Sequence, residues 1–70
     1  MNLLRIKGRI VEMGMTQIEF AKQMGIAQAT LSQKIKGDRP ITLEQAEKMA
    51  NLLNIQNDKF TYYFFNENTA

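Results

Sequence analysis

The sequence predicts an all-α domain, and three observations indicate it. Apolar residues recur three and four positions apart over most of the chain, the spacing that lines one face of a helix. Thr16 with Glu19, and Thr42 with Gln45, have the spacing of capping boxes, which mark helix starts. Glycine follows two of the predicted helices, where it can adopt the positive φ that ends a helix. Seventy residues make one domain with a thin core.

The first helix is predicted over residues 5–15, and its apolar stripe ends near Gly14. We expect this helix to pack on the rest of the domain through Leu3, Leu4, Ile6, Ile10, Val11 and Met13. The second helix begins after the Thr16 cap and ends near Met24, and Gly25 then turns the chain. Its apolar positions are Ile18, Phe20, Ala21 and Met24.

The third helix is predicted over residues 28–36, closed by Gly37, with Leu31 and Ile35 on one side. The side chains on its opposite side are short and uncharged, except for one lysine. They are Gln28, Ala29, Ser32, Gln33 and Lys36. A solvated helix face usually carries glutamate and lysine pairs. Amide and hydroxyl groups beside an alanine instead suit base edges and thymine methyls in DNA.

Residues 37–40 are of types typical of a turn, and a fourth helix is predicted after the Thr42 cap. The buried side of this helix is expected to contain Leu43, Ala46, Met49, Ala50 and Leu53. Glu44 and Glu47 lack a histidine or metal partner, so we interpret them as an exposed face and not as catalytic carboxylates.

The C-terminal aromatic segment permits two structures. Asn57 is suited to cap a fifth helix, yet residues 61–65 are rich in strand-forming side chains. As a helix, Phe60, Tyr63 and Phe64 would share a face and close the bundle; as a strand, one aromatic row would be exposed. We predict a subunit interface at Phe60, Tyr62, Tyr63, Phe64 and Phe65, the alternative being that these rings complete the domain's own core. Residues 66–70 are expected to be a frayed tail, so the domain is residues 1–65.

At these positions the chain resembles the Cro and repressor class of phage regulators, the xenobiotic-response-element type of helix-turn-helix. The resemblance covers about residues 3–60. It includes the helix at 5–15 and the Ala50-x-x-Leu53-x-Ile55 stretch. The residues that carry it are Thr16, Gln17, Ala21, Gly25, Leu31 and Gly37. It implies a compact bundle of four or five helices of the lambda-repressor-like DNA-binding type, with helix three in the major groove.

The resemblance also implies which residues contact DNA. Gln17 would contact backbone phosphate, and bases would be contacted by Gln28, Ala29, Ser32 and Gln33, with Ala27 against a thymine methyl. We expect further phosphate contacts from Thr16, Lys36, Arg39 and Arg5. Two positions depart from the family. Lys34 replaces a common core aliphatic residue, and Ile35 replaces a glutamate that often pairs with helix one, so an apolar contact between Ile10 and Ile35 is expected.

Charge and composition are consistent with this interpretation. Residues 1–40 hold seven basic and three acidic side chains, a balance of +4, whereas residues 41–70 hold two and four, a balance of −2. Cysteine and histidine are absent, which leaves no disulfide, no usual zinc or haem ligand and no histidine base. We therefore expect no metal, no cofactor and no enzyme activity. We expect a cytoplasmic location near the nucleoid of a bacterium or phage-infected host, without membrane contact.

The predicted function is sequence-specific transcription regulation by a homodimer on a palindromic double-stranded DNA operator, with half-sites about one helical turn (~34 Å) apart. One alternative is a protein-interaction module, or antirepressor-like modulator, that binds a partner repressor through its surface or aromatic tail. An antitoxin-like regulator is a further alternative.

Overall fold

A computed structural model describes residues 3–65, and all regular structure within that range is helical. The elements are α1 (Leu4–Glu12), α2 (Gln17–Met24), α3 (Gln28–Lys36), α4 (Leu43–Leu52), a 3₁₀ turn (Asn57–Lys59) and α5 (Phe60–Phe64). The all-α prediction is confirmed for this range, with five α-helices. The predicted frayed tail at 66–70 lies outside the described residues. Within the described part of the chain, no helix has the length and apolar character needed to cross a membrane.

Both predicted capping boxes are present. The Thr16 hydroxyl accepts the N–H of Glu19 at 3.1 Å, and the Glu19 carboxylate accepts the N–H of Thr16 at 2.8 Å. Thr42 and Gln45 make the same reciprocal pair, at 3.1 Å each way. Each box satisfies N–H groups that a helix leaves unpaired at its start. For this reason α2 and α4 begin where the sequence predicts.

Four helices end on a residue in the left-handed conformation. Three of these are glycines, with φ of 78°, 78° and 92° at positions 14, 25 and 37, and the fourth is Asn54 with φ of 55°. The residue that follows donates its N–H to a carbonyl five positions back, at 2.8–3.1 Å, in the pairs Met15–Ile10, Ile26–Ala21, Asp38–Gln33 and Ile55–Ala50. This arrangement satisfies free carbonyls and reverses the chain, so that successive helices fold back on one another.

The core is apolar throughout, with no buried polar or charged side chain among residues 3–65. It comprises Leu3, Ile6, Ile10, Phe20, Ala21, Met24, Leu31, Ile35, Ala46, Met49, Ala50, Leu53 and Phe64. Three residues that follow left-handed caps, Met15, Ile26 and Ile55, pack against it partly buried. The corresponding residue after α3 is Asp38, which is exposed and does not pack on the core.

Some apolar residues predicted to be buried are instead exposed, and α1 ends at Glu12 rather than near Met15. The exposed fractions are 62% for Leu4, 70% for Val11, 38% for Met13, 51% for Ile18 and 60% for Leu43. The first two lie on the face of α1 opposite Ile6 and Ile10, while Ile18 and Leu43 occupy the first turns of α2 and α4. In a bundle of short helices, the neighbouring helices cover only part of the surface of each helix. Apolar residues that lie outside the covered side stay exposed to solvent.

The aromatic segment is helical, which resolves the choice between helix and strand. Helical spacing places Phe60 and Phe64 on one side, with ring centroids 4.8 Å apart. Phe64 is 1% exposed and closes the core, with Phe60 and Tyr63 packed against it. The expectation that Phe64 belongs to a subunit interface is therefore corrected, because its ring is already covered by this chain. Tyr62 and Phe65 remain 50% and 48% exposed.

Arg9 joins α1 to the end of α4. Its Nε donates to the Leu53 carbonyl at 3.0 Å and one terminal nitrogen donates to the Asn54 carbonyl at 3.3 Å. The other terminal nitrogen pairs with Glu12 at 3.2 Å. A cation beside the carbonyls at a helix C-terminus is favourable, because those groups carry the negative end of the helix dipole. Arg9 therefore stabilises the fold.

We predict that Arg9→Met lowers the free energy of unfolding by about 1–2 kcal/mol, because two hydrogen bonds to main-chain carbonyls and the exposed ion pair with Glu12 are removed while an apolar stem remains. Urea unfolding followed by circular dichroism measures this change. Arg39→Met is the matched control, since the Arg39 side chain is exposed. Equal effects of the two substitutions would contradict the role assigned to Arg9.

Candidate nucleic-acid interface

The link between α2 and α3 is three residues long and tightly turned. Gly25 donates its N–H to the Lys22 carbonyl at 3.1 Å, and Ile26 donates to Ala21 at 3.0 Å. Ile26 is partly buried against the core, and Ala27 then leads into α3 in an extended conformation. The short link lets α3 pack directly on α2. The pair has helix-turn-helix geometry.

The inner side of α3 determines how the helix is rotated. Leu31 is fully buried and Ile35 is 3% exposed, and the two lie one turn apart. The Ile35 carbonyl also accepts the N–H of Leu3 at 2.9 Å, which ties the start of α1 to the end of α3. Ile35 and Ile10 both belong to the buried core. With these contacts on one side, the opposite arc of α3 faces outward.

The structure brings the predicted base-contacting residues together on that outward arc. Four of the five are exposed and Ser32 is partly exposed, the exposed residues being Ala27, Gln28, Ala29 and Gln33. Among residues 3–65, none of the amide and hydroxyl groups on this arc forms a side-chain hydrogen bond. They are therefore available to an external partner, and their donors and acceptors suit the edges of bases.

The first turn of α3 has no side-chain cap, unlike the first turns of α2 and α4. Its N-cap residue is Ala27, with φ of −69° and ψ of 149° and no hydrogen bond from its side chain. Alanine at an N-cap costs about 0.5–2 kcal/mol relative to serine, threonine, asparagine or aspartate. The fold alone does not favour alanine here. The open N–H groups instead give this end of α3 a partial positive charge at the outward surface.

The loop after α3 is folded back on the helix. Asp38 and Arg39 both donate their N–H groups to the Gln33 carbonyl, at 2.9 and 3.4 Å. Lys34, which replaces a core aliphatic residue of the family, is only partly buried and donates from Nζ to the Pro40 carbonyl at 2.9 Å. This hydrogen bond, which sequence reasoning does not predict, holds the loop. The side chains of Lys36 and Arg39 are left exposed at the end of α3.

The remaining predicted phosphate contacts are more dispersed. Gln17 is the first residue of α2 and is partly exposed, while the Thr16 hydroxyl is used in the capping box. The Arg5 guanidinium lies 4.0 Å from the Tyr62 ring centroid and donates to the Tyr62 carbonyl at 3.1 Å. Arg5 thus joins α1 to α5 and is not brought together with the residues of α3. Residues 3–65 contain no group of three or more metal-binding side chains.

Comparison with known families agrees with this geometry. A family model described as helix-turn-helix matches residues 6–58, which include α2, the turn and α3. The match extends from α1 into the 3₁₀ turn before α5. No curated protein matches the chain.

We predict that Ala27→Ser raises the free energy of unfolding by about 0.5–1 kcal/mol, because a serine hydroxyl at the N-cap can accept an N–H from the first turn of α3. Urea unfolding provides the measurement. Ala29→Ser is the matched control, since it makes the same exposed substitution within the helix, where no cap can form. If the control is stabilised equally, the gain does not come from capping.

Proposed function

This chain belongs to the helix-turn-helix family of DNA-binding transcription regulators, and from that membership we propose that it is a sequence-specific regulator of the phage Cro and repressor type. It binds a palindromic operator as a homodimer, with α3 of each copy in a major groove. The observation that carries the proposal is the outward arc of α3. Its amides are exposed opposite Leu31 and Ile35, which are buried.

Base recognition is assigned to this arc. The glutamine amides of Gln28 and Gln33 each have a donor and an acceptor, which match N6 and N7 of adenine in a bidentate pair. The methyl groups of Ala27 and Ala29 suit the thymine methyl, and the Ser32 hydroxyl can donate or accept. An α-helix enters the major groove, about 12 Å wide, without distortion of the duplex.

Phosphate contacts are assigned to groups at both ends of the helix-turn-helix. Lys36 and Arg39 lie at the end of α3 and in the loop after it, while Gln17 and Thr16 lie at the start of α2. These contacts position the domain without reading sequence. Arg5 is left out of this set because its guanidinium stacks on Tyr62. An operator occupied in this way would exclude or recruit polymerase, which would make the regulation steric.

Selection of bound duplexes from random DNA, carried out at two salt concentrations, tests the proposal. We expect enrichment of a symmetric consensus whose half-sites are about one helical turn (~34 Å) apart. Enrichment without symmetry would reject the palindromic operator. The absence of any enriched motif would reject sequence-specific binding and favour a protein-interaction module that uses the exposed rings of Tyr62 and Phe65.

We predict that Gln28→Ala weakens binding to the selected operator by about 1–3 kcal/mol, a loss of roughly 5- to 150-fold, and relaxes preference at one base pair. Fluorescence anisotropy with the operator and single-base variants measures both effects. Gln56→Ala is the matched control, because Gln56 is an exposed glutamine that precedes the 3₁₀ turn, outside the helix-turn-helix. Loss of affinity without any change in base preference would show that Gln28 does not read a base.

We predict that Arg39→Gln weakens binding to all sequences by a similar factor, because it removes a cation that neutralises a phosphate and leaves the base-reading groups in place. The slope of log affinity against log salt should become shallower by about 0.9, the value for one phosphate that is no longer neutralised. Salt titration of operator and non-operator duplexes measures this. Lys59→Gln, which removes a positive charge beside α5, should leave the slope unchanged.

A further inference from the structure

The loop after α3, residues 37–41, contains Arg39, to which a phosphate contact is assigned. The side chains of Asp38, Arg39 and Pro40 are exposed. Within residues 3–65, those of Asp38 and Arg39 form no hydrogen bond or ion pair. The first residue after α3 that packs on the core is Ile41, which is partly buried. Side-chain packing therefore does not fix the part of the loop that contains Arg39.

A cavity lies against this loop. It has a volume of ≈ 340 Å³, and its lining consists of Lys34 and residues 37–41. The end of α3 and the loop itself thus form its walls, and no core side chain supports the loop from that side. The position of Arg39 depends instead on hydrogen bonds to the main chain of the loop.

Two of these hydrogen bonds come from loop N–H groups. Asp38 donates to the Gln33 carbonyl at 2.9 Å, and Arg39 donates to the same oxygen at 3.4 Å, which is long for such a bond. Pro40 has no N–H, so its main chain can only accept. Its carbonyl accepts the Lys34 ammonium at 2.9 Å. Within the described part of the chain, this is the only hydrogen bond to the loop on the C-terminal side of the Arg39 N–H.

The bond from Lys34 determines where the Arg39 side chain leaves the main chain. A residue that precedes proline is restricted to extended conformations, so the direction of the chain at Arg39 follows from the placement of Pro40. Lys34 is partly buried, and an unbranched apolar side chain could follow the same path without the cost of partly desolvating an ammonium. Fold stability alone therefore does not favour lysine at this position.

We propose that Lys34 is a positioning residue for the phosphate contact of Arg39. Its ammonium holds the Pro40 carbonyl at the end of α3, so the loop is ordered before DNA binds and less conformational entropy is lost on binding. Lys34 acts through Arg39 and does not contact a phosphate itself. The inference rests on the proposed function, since it names how one of the assigned DNA contacts is held in place.

A double-mutant cycle with Arg39 tests the inference. We expect Lys34→Met to weaken operator and non-operator duplexes alike, by up to roughly 5-fold at about 0.15 M salt. The slope of log affinity against log salt should become shallower by up to about 0.9, the value for one phosphate. In the Arg39→Gln background the same substitution should change neither affinity nor slope, because the contact that Lys34 positions is already absent.

Lys36→Met is the matched control, because Lys36 is an exposed lysine two residues further along α3 that makes no hydrogen bond to the loop. Its effect should be the same with Arg39 and with Arg39→Gln. An equal effect of Lys34→Met in both backgrounds would show that Lys34 acts independently of Arg39, and would overturn the inference while the proposed function stands. A wild type that binds no duplex would reject the proposed function and the inference together.

NMR relaxation of the free chain tests the ordering of the loop without DNA. In Lys34→Met, the amide order parameters of Arg39 and Ile41 should fall from about 0.85, typical of a rigid backbone, to below about 0.6. The order parameters within α3 and the circular dichroism of the chain should not change, because the loop contributes no fully buried residue to the core. Unchanged order parameters at Arg39 and Ile41, or a loss of order that extends through α3, would overturn the inference.

Discussion

The left-handed conformation of Gly25 is the constraint on which the outward surface of α3 depends. It reverses the chain within three residues, so α3 must pack across α2, and Leu31 and Ile35 enter the core from one side only. A residue with a Cβ in this conformation costs about 1–2 kcal/mol, because the side chain approaches its own carbonyl. A residue in the left-handed conformation also follows α1, α3 and α4. The shape of the bundle is therefore determined largely at the ends of its helices, by local backbone conformation, and the core then selects which faces meet.

Cations at helix ends supplement a core that has no buried polar group in the described range. Arg9 donates to the Leu53 and Asn54 carbonyls at the end of α4, and Lys48 donates to the Met24 carbonyl at the end of α2, at 3.4 Å. These carbonyls have no partner within their helices and carry the negative end of the helix dipole. Side chains with long stems can reach these carbonyls without being buried, so they join α1 to the end of α4 and α4 to the end of α2.

The sequence predicts most of the features that depend on local chemistry. The capping boxes at Thr16 and Thr42, the left-handed glycines and the outward amides of α3 lie where spacing and residue type place them, because each depends on neighbours only a few positions away. Features that depend on tertiary packing are harder to predict. Apolar periodicity does not show how wide an arc each neighbour covers, so it wrongly places Leu4, Val11 and Leu43 inside. The strand-forming residues of α5 are helical because Phe60 and Phe64 meet the core one turn apart. Asparagine predicts a left-handed conformation less strongly than glycine does, so the sequence does not indicate the positive φ of Asn54.

The placement of the basic residues makes dimerisation physically important for the proposed function. Of the seven cations in residues 1–40, three are engaged within the chain: Arg9 and Lys34 by main-chain carbonyls, and Arg5 by Tyr62. Few cations are therefore left near α3 to neutralise DNA phosphates. Each neutralised phosphate adds only about 0.9 to the slope of log affinity against log salt. A single copy would thus hold DNA weakly at physiological salt, whatever its amides recognise. Two linked copies double these contacts and make the second half-site an intramolecular partner, which raises affinity without new contacts in either copy. In the proposed mode of binding, with so little charge available per copy, selectivity would depend on α3 and affinity would depend on the pair.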